Sequence, residues 1–296
     1  MKPASFQYIA PLTLAEALDV MSHHGADAKL LAGGQSLIPV MNFRLAQPTL
    51  LVDLNKLREL DRLHVTGDGG LRIGAMVRHS QLEHSDVIAG YAPLIAEAMP
   101  LVAHPQIRNR GTIGGSLAHA DPAAELPVVM VALQARFLLR KSGHERWVNA
   151  ADFYQSLFTT ALEPDEILVE IDIPPAARRT GYAFTEIARR HGDYAQAGVA
   201  AIIGLDENGV CRRARLVYLN LGETPMVAGQ AAAALVGQLP SMALIDDVAR
   251  RAARDEIDPT GDIHATAEYR RHLAFVLGKR AIQKAVSRAQ DGWSLD

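Results

Sequence analysis

Apolar positions near the start of the chain recur at helical spacing. Leu14, Ala17, Leu18 and Met21 form one stripe, and Thr13-Leu14-Ala15-Glu16 ahead of it lets a threonine hydroxyl and a glutamate carboxylate satisfy each other's backbone donors. Gly25 supplies the stop, so a short amphipathic helix is predicted. Continuous apolar runs then predict buried strands at residues 29–32, 50–54 and 71–75, the first ending on Gly33-Gly34. Ser80-Gln81-Leu82-Glu83 predicts a second capped helix, and residues 93–102 an apolar one. Asp121-Pro122 places an N-cap and a first-turn proline before a helix through Val131. Strand patterns return at 135–139 and 167–173.

Pro174-Pro175 followed by Arg178-Arg179 is the clearest linker, and a domain boundary is expected near residue 176, dividing 1–176 from 177–296. Beyond it, strands at 195–205 and 213–221 precede helical patterns near 228–236, 242–255 and 268–289. That predicts a small sheet covered by helices.

Composition narrows the class. With 296 residues, 49% hydrophobic and 21% charged, the chain has material for two ordinary cores. The net charge of −3 comes from 30 basic and 33 acidic residues without a run of one sign, which speaks against nucleic acid. Residues 1–20 lack the pattern of a signal peptide, and no apolar run approaches the roughly 20 residues that span a bilayer. A cytoplasmic chain without an integral membrane segment is expected. The single cysteine, Cys211, leaves no internal disulfide and no cysteine-based zinc or iron–sulfur site in this chain, and it reads as a packing or surface residue.

The candidate chemistry lies in two glycine turns, Ala32-Gly33-Gly34-Gln35-Ser36 and Thr112-Ile113-Gly114-Gly115-Ser116. A Gly-Gly pair lets backbone N–H groups approach an oxyanion closely, and the neighbouring hydroxyl adds a donor. Either turn alone is weak evidence; together, each behind an apolar segment, they suit a pyrophosphate. The dinucleotide fingerprint G-x-G-x-x-G, the Walker lysine loop, the G-x-S-x-G elbow and the H-E-x-x-H zinc helix are all missing. His79, Glu83 and His84 read as the solvated face of a helix start rather than a metal site, and His23-His24 as a charge complement at a helix end.

Three longer stretches carry a resemblance: residues 31–39, residues 104–116 from His104-Pro105-Gln106 through Gly114-Gly115-Ser116, and Gly192-Asp193-Tyr194-Ala195. The chain resembles, over nearly its whole length, the FAD-binding medium subunit of the molybdenum hydroxylases, the xanthine dehydrogenase and aerobic carbon monoxide dehydrogenase family. The resemblance implies an α+β fold. Two subdomains of the molybdenum hydroxylase/vanillyl-alcohol-oxidase-like type hold FAD, and a smaller α+β C-terminal domain follows.

It further implies that Leu31, Ala32, Gly33, Gly34, Gln35, Ser36 and Leu37, with Thr112, Ile113, Gly114, Gly115 and Ser116, surround the pyrophosphate and ribityl. Val102 would line the flavin, and Ile167 or Leu168 would occupy the strand facing its ring edge, although core packing explains these as well. His119, Asp121 and Glu125 would reach sugar or ribityl hydroxyls, with Asp121 doubling as a helix cap and Glu125 standing where relatives often carry Asp. Tyr194 resembles the tyrosine that lies over the flavin. Where some relatives place a lysine near the ring, this chain has Thr185-Glu186.

No catalytic residue beyond bound FAD and no metal are expected on this chain. The resemblance implies partner chains, a small 2Fe–2S subunit and a large molybdopterin subunit, in a dimer of heterotrimers, with Arg108 and Arg110 as candidates for docking the iron–sulfur subunit. Two other readings stay open: a free-standing FAD oxidoreductase, and a non-catalytic nucleotide-binding or assembly protein.

Overall fold

The computed structural model describes residues 2–291. Its N-terminal unit is a small parallel sheet of β1 (Gln7–Ile9), β2 (Ala28–Leu31) and β3 (Leu50–Asp53), in the order β1-β3-β2. The helix Leu14–His24 covers it with Leu14, Ala17 and Met21, and Gly25 ends that helix at φ +43°. The expected capping box forms with one member displaced. Thr13 Oγ1 accepts from the Glu16 N–H, but the Glu16 carboxylate takes the Leu12 N–H at 2.8 Å rather than that of Thr13.

An antiparallel five-stranded sheet follows. It contains β4 (Leu63–Val65), β5 (Leu71–Gly74), β6 (Arg136–Lys141), β7 (His144–Asn149) and, after a ribbon of β8 (Tyr154–Ser156) and β9 (Thr159–Thr160), β10 (Ile167–Ile173). The order β4-β5-β10-β6-β7 puts β10 in the middle. A bulge between Leu168 and Glu170 changes which side chains share a face, because one extra residue reverses the alternation. Ile167 and Val169 therefore enter the small core under the parallel sheet, while Leu168, Ile171 and Ile173 enter the large one with Val102, Ile113 and Leu117.

The C-terminal sheet is antiparallel, β11 (Thr180–Ile187), β12 (Ala197–Leu205), β13 (Cys211–Leu219) and β14 (Met226–Val227). All of β12 is buried, as its unbroken apolar run requires, since both faces are covered. Tyr182, Phe184, Ala200 and Ile202 face the first half of the chain; Ala183, Val199, Ala201 and Ile203 face the helices Met242–Asp255 and Ala267–Asp291. Cys211 lies in this second core, fully buried. Glu97 ties the last helix to the first half: it receives Lys284 and, at 2.6 Å, Arg288, which also donates to the Tyr182 carbonyl.

The long helix approaches β11 so closely that Gly181 has no room for a side chain. A Cβ there would collide with the Ala285 carbonyl and lie 2.7 Å from the Ala289 nitrogen. Gly181→Ala is expected to cost about 2 kcal/mol through overpacking. Gly229, with open space around it and an ordinary φ, is the control. Urea midpoints should separate the two alanine variants, and equal midpoints would contradict the packing described.

Candidate functional site

The first glycine segment leaves the C-terminal end of β2, the edge at which parallel sheets leave a crevice for ligands. Gly34 takes φ +74°, a conformation that favours glycine, and its carbonyl accepts from Ile38 as the helix Leu37–Asn42 begins. The Gln35 amide donates back to the Gly33 carbonyl at 3.1 Å. Ser36 occupies the cap position of that helix without using its hydroxyl as a cap.

The second segment is not a turn, contrary to the sequence reading. It is the first turn of a helix, Ile113–His119, capped by Thr112, whose hydroxyl accepts from the Gly115 N–H at 3.1 Å. Gly114 and Gly115 are there for close approach. A Cβ on Gly114 would lie 2.5 Å from the Ala75 Cβ, and one on Gly115 would lie 3.3 Å from the Ala32 Cβ. From the other side, a Cβ on Gly33 would strike the Arg110 carbonyl and lie 2.8 Å from the Gly111 Cα. The two glycine segments thus meet, backbone against backbone.

A polar wall closes one side of this meeting point, and the sequence reading missed it. Asn55 donates to the Ala32 carbonyl at 2.9 Å and accepts from Arg78 at 2.5 Å; Arg78 also reaches the Arg110 carbonyl. Asp53, directly across the ladder from Leu31, accepts from Tyr8 and Asn55. Burial would raise its carboxyl, but these hydrogen bonds and Arg110 hold it below the usual range. Its position at the end of the strand beside β2 was the available signal. A cavity of about 370 Å³ opens here between Gly33-Gly34, Asp53, Asn55 and Arg110, with Leu31, Ile38 and Pro39 as apolar walls.

Beyond the seven-residue helix, about 10 Å along at 1.5 Å per residue, lies a second group. The helix expected from Asp121 starts later, at Glu125. Asp121 instead closes a turn, its carboxylate accepting from Ala123 and its carbonyl from Ala124. Glu125 is 7% exposed, and burial first, then Asp121, pushes its carboxyl up to about 7. His119, at the helix end, packs its ring 5.2 Å from that of Phe158. Crowding and the carboxylates of Asp121 and Glu125 raise the Tyr194 phenol, which places it beside them, yet Tyr194 is 71% exposed and offers an open aromatic face. The loop that carries it rests on the other motif: Gly192, at φ +85°, lies over the His104 ring, where a Cβ would sit 2.5 Å from Nδ1. Asn220 fastens both sides, donating its backbone N–H to the Pro122 carbonyl and its amide to Ala195.

Other expectations need correction. Ser80 does not cap the second helix, which runs His79–Glu83 behind Arg78, with Gln81 accepting from the Arg78 N–H. His79 is no surface residue: it is 5% exposed, and neither ring nitrogen has a hydrogen bond of normal geometry. Arg108, read as a docking arginine, is buried with both guanidinium edges engaged, on Glu83 at 2.7 and 2.9 Å and on the Val102 carbonyl at 2.9 Å. It holds the second glycine loop in shape. Arg110 remains exposed. Val102, Ile167 and Leu168 have buried side chains, so Ile167 and Leu168 offer a ligand only backbone.

Taken together, the first glycine segment, the polar wall and Arg110 enclose one cavity at a strand end, with the second glycine segment packed behind it. Residues 4–176 match the family model described as the FAD binding domain in molybdopterin dehydrogenase, and residues 182–285 match the CO dehydrogenase flavoprotein C-terminal domain. The 6-hydroxypseudooxynicotine dehydrogenase complex subunit alpha of Paenarthrobacter nicotinovorans is 42% identical, covering 98% of this chain and 97% of its own. The carbon monoxide dehydrogenase medium chain of Afipia carboxidovorans is 38% identical, over 98% of this chain and all of its own. Among solved structures, carbon monoxide dehydrogenase from Hydrogenophaga pseudoflava, in a form lacking the Mo-pyranopterin moiety, superposes with a TM-score of 0.93 at 37% identity, over 97% of this chain and 99% of that one. The chain belongs to the family of FAD-binding medium subunits of molybdenum hydroxylases.

His79 generates a pH prediction. Burial first, with Arg108 and Arg78 adding and the Thr112 backbone opposing, lowers its imidazole to about 4. The unfolded chain therefore binds a proton that the folded chain refuses between about pH 6.5 and 4, so stability falls as pH falls through that window. The loss attributable to this buried ring is about 3 kcal/mol. In urea titrations, the difference between pH 7 and pH 4 should be smaller for His79→Leu than for the unsubstituted chain. An unchanged difference would contradict a neutral buried His79.

Proposed function

We propose that this chain carries FAD for a multi-subunit molybdenum hydroxylase, receiving electrons from a 2Fe–2S partner and passing them to an external acceptor. The carrying observation is the contact of the two glycine segments. Gly33 against Arg110-Gly111 and Gly115 against Ala32 pack the second segment behind a cavity lined by residues 31–35 and the exposed Arg110, where the backbone of Gly33-Gly34-Gln35 and the guanidinium form a donor set suited to a diphosphate dianion.

In this reading, residues 32–36 and 112–116 hold the diphosphate and ribityl, with Leu31 and Leu37 as apolar flanks. His119, Asp121 and Glu125 take sugar or ribityl hydroxyls. Tyr194 covers one face of the ring system and excludes water from it, while Val102 and the backbone of Ile167 and Leu168 border its edge. Bound FAD supplies the chemistry that couples one-electron to two-electron transfer. The protein's part is to bind, orient and shield. A chain with one cysteine, and that one fully buried, supplies no cluster ligands, so the clusters and the molybdopterin belong to partner chains. The dimer of heterotrimers that the family resemblance implies is our proposal for the assembly.

The test is reduction by a partner's substrate. In the complex reconstituted with its iron–sulfur and molybdopterin chains, the large chain's substrate should bleach the yellow absorbance of this chain. The same substrate should leave the isolated, flavin-loaded chain yellow. Bleaching of the isolated chain by an organic substrate of its own would instead support a free-standing oxidoreductase.

A further inference from the structure

Two carboxyl groups meet in the seam between the two halves of the molecule without a counter-charge. Glu186 lies on the face of β11 shared by Tyr182 and Phe184, the face that packs on the first half of the chain. Across the ladder it meets Gly198, where a Cβ would lie 3.0 Å from the Glu186 Cβ and 2.8 Å from Leu219 Cδ2. Glu186 and Leu219 therefore flank the same bare position on either side of Gly198. The helix Glu125–Leu133 crosses the same face. Its C-terminal end is fixed by Arg215 on the Val131 carbonyl and Arg213 on Gln134, and the loop before it is fixed by Asn220 on the Pro122 carbonyl. Leu219 pairs through Gly198 with Glu186 and precedes Asn220, so the start of the helix and Glu186 share one side of the seam, near enough for the Glu125 charge to act on Glu186.

Among the described residues no lysine or arginine acts on either carboxyl, and His119, at the end of the preceding helix, packs its ring on Phe158. From the helix side come Glu125 and, one turn before it, Asp121; from the 192–195 loop comes the Tyr194 phenol; β12 and β13 contribute Gly198 and Leu219. Glu186 Oε2 is buried with no hydrogen-bond partner. The nearest arginines of β13 are used at the far end of the helix.

We propose that Glu125 and Glu186 form a proton-holding pair that governs FAD retention: the site binds the dinucleotide with a proton on the pair and releases it when both carboxyls are ionised. The inference rests on the FAD reading given above. Burial pushes Glu125 up to about 7 and Glu186 to about 8, the charge of Glu125 adding to the latter. Like charges in a seam that a ligand further desolvates cannot both ionise at low cost. In the FAD reading the sugar and ribityl hydroxyls, not the diphosphate, lie against this pair. A protonated carboxyl is a donor for a sugar or ribityl hydroxyl. The proton comes from bulk water on binding and returns to it on release, so affinity and pH are linked. Glu186 then does in neutral form what a lysine near the ring would do as a cation: it keeps the seam from becoming an anionic trap.

The experiment is a titration of the full chain, freed of flavin, with FAD at pH 6.5 to 9, followed by flavin fluorescence. Affinity should be level at the acid end and weaken about tenfold per pH unit once the pair ionises, one proton being linked. Glu186→Gln should bind FAD with little pH dependence, and Glu125→Gln, as a second variant, should flatten the profile in the same sense. Circular dichroism confirms that each variant is folded. A level profile in the unsubstituted chain, or an unchanged slope in both folded variants, would overturn the pair while leaving the FAD reading standing. Failure to take up FAD at any pH would overturn both.

Discussion

Gly33 lies with its Cα against the backbone of Arg110 and Gly111, and the site is organised around that contact. A close approach between two chain segments so far apart in sequence is possible only where neither carries a Cβ in the way. It fixes the end of β2 relative to the start of the helix Ile113–His119, and residues 31–35 then line one cavity with Arg110. Supporting groups hold each side. Asn55 and Arg78 bridge the Ala32 and Arg110 carbonyls, while the Arg108–Glu83 pair and neutral His79 fill the space under the 104–112 loop. The cost of burying Arg108 is offset because both edges of its guanidinium find oxygens.

The second half of the chain completes the site through the seam. Asn220 joins the Pro122 and Ala195 carbonyls, and Gly192 seats its loop on His104, so the loop carrying Tyr194 is held by contacts from both halves. The Glu97 clamp on Lys284 and Arg288 fixes the same seam at its other end. The C-terminal sheet is thus a wall of the site as well as a core of its own. The chain's one cysteine, Cys211, is fully buried and offers no thiolate to an iron–sulfur cluster.

Much of this was legible in the sequence. Periodicity placed the helix Leu14–His24, β3, β5, β10 and the paired C-terminal helices within a residue or two, because their apolar spacing follows burial directly. The glycine segments stood out by their residue types, and Tyr194 through the family resemblance alone. What failed depended on partners distant in sequence. His79 and Arg108 look like surface residues until the 104–112 loop folds over them. Asp121-Pro122 reads as a helix start, yet its carboxylate is taken by a tighter turn, and the helix begins only at Glu125. The Gly114-Gly115 pair resembles a turn but is a helix whose glycines serve packing against Ala75 and Ala32. Glu125 and Glu186 had no local signature, since one begins a helix and the other lies on a strand of the second half, and only the packing of that helix on the sheet brings them to one seam.

The central claim is that two glycine segments meet to hold one FAD, and flavin retention tests it most directly. Replacing both Gly33 and Gly114 with valine puts side chains against Arg110-Gly111 and Ala75. The double variant should purify folded, by circular dichroism, but without yellow colour or flavin in a denatured extract. Single valine substitutions should give reduced flavin per chain, and Gly229→Ala should keep the full content. Full flavin in the folded double variant would contradict the account.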